Sequence, residues 1–363
     1  MKLREIILRK VCLPLIRPYV LSYRTFDEFE PIIVEVRDCN GRIGWGEGHI
    51  SPGSSSETRE GGWAFCNDHA AKIVGMDSAD AKAMVAVRWE DSHVAATALL
   101  TAIEMLEGHP LLEVTADSRL PLLTPFNSSS PTSIEAEVER RLDDGFRTFK
   151  IKVGKDAGAD LARVQMIQRA IAGRATMRLD ANRAYSEADG CRFAAALDPT
   201  GMELFEQPCH SDDWAANAKV AKVSTVPIML DEPICGLGDI ERAADIDNVG
   251  FCKLKLKRFG SLDSLKQALE LVRACGMEPV LGDGTSSEVQ CWMEGCVARH
   301  VIRNAGEFNG FLKPKVRLFA EPLRFEAGAL MLAAGYVPSM NAGVLAAHEI
   351  GRERFVAARA GAH

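Results

Sequence analysis

The chain has 363 residues, 47% hydrophobic and 26% charged, a globular balance with enough length for two cores. A net charge of −7 and a pI near 5.7 exclude nucleic acid or an anionic membrane surface as the partner, because both demand a basic face. No apolar run approaches the roughly 20 residues of a membrane span.

The opening residues, MKLREIILRKVCLPL, alternate like a strand and lack the small-residue cleavage site of a signal peptide. Residues 1 to about 50 read as an antiparallel meander, with Asn40-Gly41 as a hairpin turn between alternating runs. A Gly/Ser-rich loop over 49–62 leads into helical periodicity from about 63 to 107. These segments predict an α+β domain over 1–115. Strand-like and helical patterns then alternate. The predicted strands are 120–126, 148–153, 176–180, 204–207, 228–230, 251–255, 278–282 and a weaker one at 305–308. Repeated βα units in this number predict an α/β architecture, a (β/α) barrel over 116–318. Beyond Pro314 the pattern breaks into short strand-like pieces, and 319–363 is expected to return to the first domain. Ten cysteines occur without any CxxC, and Cys235, Cys252 and Cys275 lie in apolar runs, so buried thiols in a reducing cytoplasm are expected.

Five of the predicted barrel strands carry a charge at the end of an apolar run. They are Lys152 (FKIK), Asp180 (MRLD), Glu206 (ELFE), Asp231 (IMLD) and a lysine in FCKLK, Lys255, at separations of 28, 26, 25 and 24 residues. One strand, one helix and two short loops need about that length. In a closed parallel barrel such strand ends converge on one mouth. Three carboxylates so placed repel one another unless a cation sits among them, and hard divalent ions prefer oxygen ligands. Lys150 shares a strand face with Lys152; the plain alternative is an edge strand with snorkelling lysines. Asp180 and Asn182 could equally be a helix-capping pair. Glu232, beside Asp231, reads as a supporting or ion-pairing group. The alternating Lys253, Lys255 and Lys257 cannot be separated by spacing.

Lys-x-Lys, Asp-x-Asn, Glu-Gln-Pro, Asp-Glu-Pro and a later strand lysine, in this order, resemble the enolase superfamily, and within it the muconate lactonizing enzyme subgroup of the mandelate racemase/muconate lactonizing enzyme family. The resemblance covers essentially the whole chain. It implies a modified TIM-type barrel with an α+β capping domain. It also implies Mg2+, with Mn2+ as a substitute, on Asp180, Glu206 and Asp231. KLKRFGSL resembles the family's lysine-x4-Gly-Ser-Leu pattern and selects Lys255, so that Lys152 and Lys255 are the implied acid/base pair. The implied reaction removes a proton α to a carboxylate, in a cytoplasmic homo-oligomer of two to eight subunits acting on a small carboxylate. A lysine beside a divalent cation and a second ammonium is expected to have its pKa lowered. Racemisation or epimerisation of an amino-acid-like or imino-acid-like substrate is the leading expectation. Cycloisomerisation and dehydration are alternatives.

Substrate contacts are expected from Tyr23 and His49 of the cap and from Asp283, Glu307 and Asn309 of the barrel. Glu307 and Asn309 sit where epimerases of the subgroup often carry Asp-x-Asp, so Asp283 and Glu307 are candidate partners for a substrate ammonium, or else ordinary rim residues paired with Lys313. Two rival classes are a Schiff-base aldolase, which needs one desolvated lysine and no carboxylate triad, and a catalytically silent barrel retained for binding.

Overall fold

Apolar alternation in LREIILRKV builds the strand Leu3–Val11, whose inward residues are fully buried. In this computed structural model, which describes residues 1–21, 24–53 and 55–358, that strand is central to a four-stranded antiparallel sheet. One edge of it pairs with Ile32–Asp38 and the other with Glu349–Val356, near the end of the described chain. Ile43–Gly48 completes the sheet across the Asn40-Gly41 turn, where Gly41 adopts φ +80°. The meander is interrupted: Leu13–Val20 and Thr25–Phe29 leave the sheet and pair with each other, as a hairpin reaching over the barrel that also bridges from Leu15 to Pro314. Helices Arg59–Ile73, Ser78–Val87 and His93–Glu107 cover the sheet's inner face. Gly44, Gly46 and Gly48 alternate along one face of the edge strand, where the backbone of the third helix lies directly against it.

The middle of the chain forms seven parallel strands in sequence order: Thr124–Phe126, Thr148–Lys152, Thr176–Asp180, Met202–Glu206, Ile228–Leu230, Val249–Leu254 and Glu278–Leu281. The weak eighth run is too short to register as a strand, yet it closes the ring. Glu307 N donates to Leu281 O at 2.8 Å on one side, and Leu123 N donates to Gly306 O at 3.0 Å on the other. The predicted run 120–126 is divided. Ser118–Pro121 pairs antiparallel with Ala329–Leu332, outside the barrel, and only Thr124–Phe126 enters it. The fold is therefore a (β/α) barrel of the enolase type with an antiparallel capping domain. No helix among the described residues is long and apolar enough to cross a membrane.

Candidate active site

Lys152, Asp180 and Glu206 close their strands and Asp231 and Lys255 directly follow theirs, so these five charges stand at the mouth. Lys152 pairs in register with Asp180, and Asp180 with Glu206. Asp231 stands just beyond the end of the next strand. A cavity of about 470 Å3 lies over this row, lined by Lys150, Lys152, Asp180, Asp231, Glu232 and Lys255 from the barrel and by Tyr19, Leu21 and Ser51 from the cap. The sequence-expected lysines and carboxylates are thus brought together, with Lys152 at one end of the row and Lys255 at the other.

The charges are tightly interlocked. Lys150 Nζ lies 3.0 Å from Asp180 Oδ2, 2.7 Å from Glu206 Oε2 and 2.9 Å from Glu307 Oε2. Lys152 Nζ donates to Asp180 and, at 2.7 Å, to Asn182 Oδ1. Lys255 Nζ is 2.9 Å from Asp231 Oδ2, and Arg258 Nη1 is 2.9 Å from Asp231 Oδ1. Burial alone would lower the Lys150 ammonium, but Asp180, Glu206 and Glu307 outweigh it and hold its pKa well above the usual lysine value. Burial and then the Asp180 charge push Glu206 up to about 7 against the pull of Lys150. Asp231 resists the upward effect of burial because Lys255 and Arg258 hold it well below the carboxylate range. Lys255 lies above the ordinary lysine value: against burial and Arg258, the Asp231 carboxylate holds it up.

The donor set suits a hard divalent ion. Asp180, Glu206 and Asp231 supply only oxygen, Glu206 Oε1 is buried without a hydrogen-bond donor, and an ammonium, that of Lys150, already occupies the space between Asp180 and Glu206 as a cation would. Among the described residues no three His, Cys, Asp or Glu side chains stand close enough together to hold a metal ion; Asp180, Glu206 and Asp231 are instead paired with Lys150, Lys152 and Lys255.

Two backbone features support the row. Asn182 and Gln207, just beyond Asp180 and Glu206, have φ of 44° and 39°, the left-handed region that costs non-glycine residues about 1–3 kcal/mol. Gln207 is fully buried, and its Oε1 accepts Asp231 N at 2.9 Å, tying the fourth strand to the fifth.

The remaining expected contacts are placed differently. His49 has no exposed surface and packs its ring against Phe26 and Phe29, away from the cavity wall; burial, then Lys257, lowers its pKa to about 3. Asp283 lines the cavity but is paired with Lys257, and Glu307 is paired with Lys150 and Lys253. Neither carboxylate therefore stands ready for a substrate ammonium, and neither pairs with Lys313. Asn309 Nδ2 donates to Leu123 O at 2.9 Å, and its Oδ1 accepts from Lys313. Glu232 is 3.5 Å from Arg183. Tyr23 lies outside the described residues. Sequence reasoning missed Arg258 and Tyr19, and named Lys253 only as one of three alternating lysines, without its partner Glu307.

The chain is 28% identical over 297 residues to the L-Ala-D/L-Glu epimerase of Bacillus subtilis, covering 78% of this chain and 81% of that one. It is 29% identical over 357 residues to muconate cycloisomerase 1-2 of Acinetobacter lwoffii, covering 90% and 89%. A crystal structure of the dipeptide epimerase of Cytophaga hutchinsonii with Mg and D-Ala-L-Val superposes with a TM-score of 0.87 at 19% identity, covering 98% of this chain and all of that one. Residues 133–336 match the profile of the family described as Enolase C-terminal domain-like. That match spans more than half of the chain, which therefore belongs to this family and is an enzyme of the enolase superfamily, of the mandelate racemase/muconate lactonizing enzyme kind, whose relatives are isomerases and lyases.

Proposed function

We propose that the enzyme moves the proton α to the carboxylate of an amino-acid-derived substrate, as a racemase or epimerase, with Lys152 and Lys255 as the acid/base pair. The observation that carries this reading is the placement of the two lysines at opposite ends of one carboxylate row inside one cavity. A lysine at either end can take a proton from one side of a planar intermediate while the other returns one from the opposite side. Asp180, Glu206 and Asp231 would hold Mg2+, or Mn2+ in its place, and the ion would supply positive charge opposite the substrate carboxylate. Asn182, by accepting from Lys152 Nζ, holds that amine at the cavity wall. Arg258 keeps Asp231 ionised. The cap hairpin, through Tyr19, covers the cavity and limits water access. The epimerases among the relatives and the magnesium in the dipeptide epimerase complex support the reading.

The test is proton exchange in deuterated water with purified enzyme and Mg2+, over a library of N-acyl amino acids, dipeptides, proline derivatives and acid sugars. Lys152→Ala is expected to lose exchange from one enantiomer and Lys255→Ala from the other. Equal loss for both enantiomers in each variant supports cycloisomerisation or elimination instead, and full activity in either variant ends the pair assignment.

A further inference from the structure

Beside the catalytic cavity lies a second one of about 260 Å3, and the two share Tyr19, Lys150 and Lys152 in their walls. Its apolar lining includes Leu123, Phe146, Leu312 and Phe325, enough to hold a short aliphatic chain. Its charges are lopsided. Three further cationic side chains, Arg17, Arg141 and Lys313, line it, against the single carboxylate of Asp144. Arg141 is satisfied by Glu137 at 3.1 Å. Lys313 is not satisfied by any carboxylate. The partly buried ammonium donates to Asn309 Oδ1 at 2.8 Å and stands 4.7 Å from the Tyr19 ring centre, both neutral partners, with no ion pair among the described residues. Burial lowers its pKa to about 8, against the weaker upward pull of Cys291, Glu307 and Asp283.

We propose that this second cavity is a subsite for an anionic group, a carboxylate at the end of the substrate remote from the reacting carbon, with Lys313 as the residue that recognises it. The proposal rests on the proton-transfer reading above and names the class of substrate that reading leaves open. The same charge balance argues against a remote ammonium. Asp283 and Glu307, the acidic groups nearest, are each already matched by lysine, and a second cation beside Lys313 would be repelled. An arriving carboxylate instead gains a charge-assisted hydrogen bond in a partly dehydrated site, which is worth about tenfold or more in affinity.

The experiment compares N-succinyl amino acids, which end in a carboxylate, with the same amino acids carrying the isosteric succinamide cap and with dipeptides ending in a free ammonium. The expected result for the wild-type enzyme is a kcat/KM at least about tenfold higher for the succinyl member of each pair, expressed mainly in KM. Lys313→Met should bring that ratio close to one, and Lys313→Glu should reverse it. A ratio of one in the wild-type enzyme, a preference for the ammonium series, or an unchanged ratio in a folded Lys313→Met protein would each overturn the proposal. The wild-type ratio stands without any variant, so misfolding of Lys313→Met leaves the test intact. If no compound exchanges its α-proton, it is the proton-transfer reading that fails. The subsite is then judged by calorimetry with glutarate: binding lost in Lys313→Met supports it, and binding unaffected by that change refutes it.

Discussion

Gln207 makes a bond that no shorter or apolar side chain can make, and it does so from a backbone conformation that most residues avoid. Its amide oxygen holds the Asp231 N–H, so the direction of Asp231 depends on a residue of the neighbouring strand. Gln207→Ala should therefore lower Mg2+ affinity by about 10–100-fold, the usual cost of removing a group that orients a ligand. Gln207→Gly relieves the left-handed strain but should lose the same affinity, which isothermal calorimetry would check. Asp231→Asn should abolish measurable Mg2+ binding while circular dichroism stays native. Unchanged affinity would remove Asp231 from the ligand set. At this scale the sequence was legible wherever a charge closed an apolar run, as for Lys152, Asp180 and Glu206. It did not show that Lys253 and Glu307 pair, because they meet across 54 residues of chain. Strand alternation says that Lys253 and Lys255 share a face, but not that one sits below the mouth with a partner and the other at it.

The edge strand Ile43–Gly48 and the helix His93–Glu107 meet backbone to backbone. A Cβ at Gly46 would lie 1.9 Å from Ala98 O, and one at Gly44 would lie 2.0 Å from Ala102 O. Neither neighbour is a flexible side-chain end, so the helix itself would have to move. Gly46→Ala should cost at least about 3 kcal/mol in urea unfolding, the upper end of overpacking. Gly41→Ala, at φ +80° but with open space around the new methyl, should cost only about 1–2 kcal/mol from backbone strain. Equal costs would show that the close approach does not matter. Strand positions were readable from period-two alternation, which is why 176–180 and 228–230 match the structure to the residue. The departure of Leu13–Val20 from the sheet was missed, although Pro14 and Pro18 interrupt its alternation and cannot donate to a central ladder.

Cap and barrel are joined by buried carboxylates set on helix N-termini, where exposed N–H groups and the helix dipole favour an anion. Glu47 of the cap accepts from Ser287 N at 2.6 Å, Ser287 Oγ at 2.7 Å and Gln290 N at 2.9 Å, at the start of Glu288–Val301. Glu104 accepts from Leu262 N at 3.1 Å, at the start of Leu262–Ala274. Glu47→Ala should cost about 3 kcal/mol, three bonds at roughly 1 kcal/mol each. Burial pushes Glu104 up to about 7 and Glu294, on the helix Glu288–Val301, up to about 8. Both groups bind protons more tightly folded than unfolded, so their effect on stability is most favourable below the unfolded carboxyl pKa near 4.5. It declines as pH rises to about 7 for Glu104 and about 8 for Glu294. Thermal unfolding of the wild-type protein should therefore drop by several degrees between pH 5 and pH 8. Glu294→Gln should flatten that slope, and an unchanged slope would assign it to other groups.

The strand Leu3–Val11 leaves the ribosome well before its partner Glu349–Val356. About 340 residues separate them, so at 5–20 residues per second one edge of an apolar strand waits roughly 17–70 s for its neighbour. An unpaired apolar edge is a template for intermolecular pairing. The nascent chain is therefore most exposed to aggregation after the barrel has been made and before the cap is finished, and slow translation or a premature stop after the barrel should fill inclusion bodies where an early stop in the cap would not.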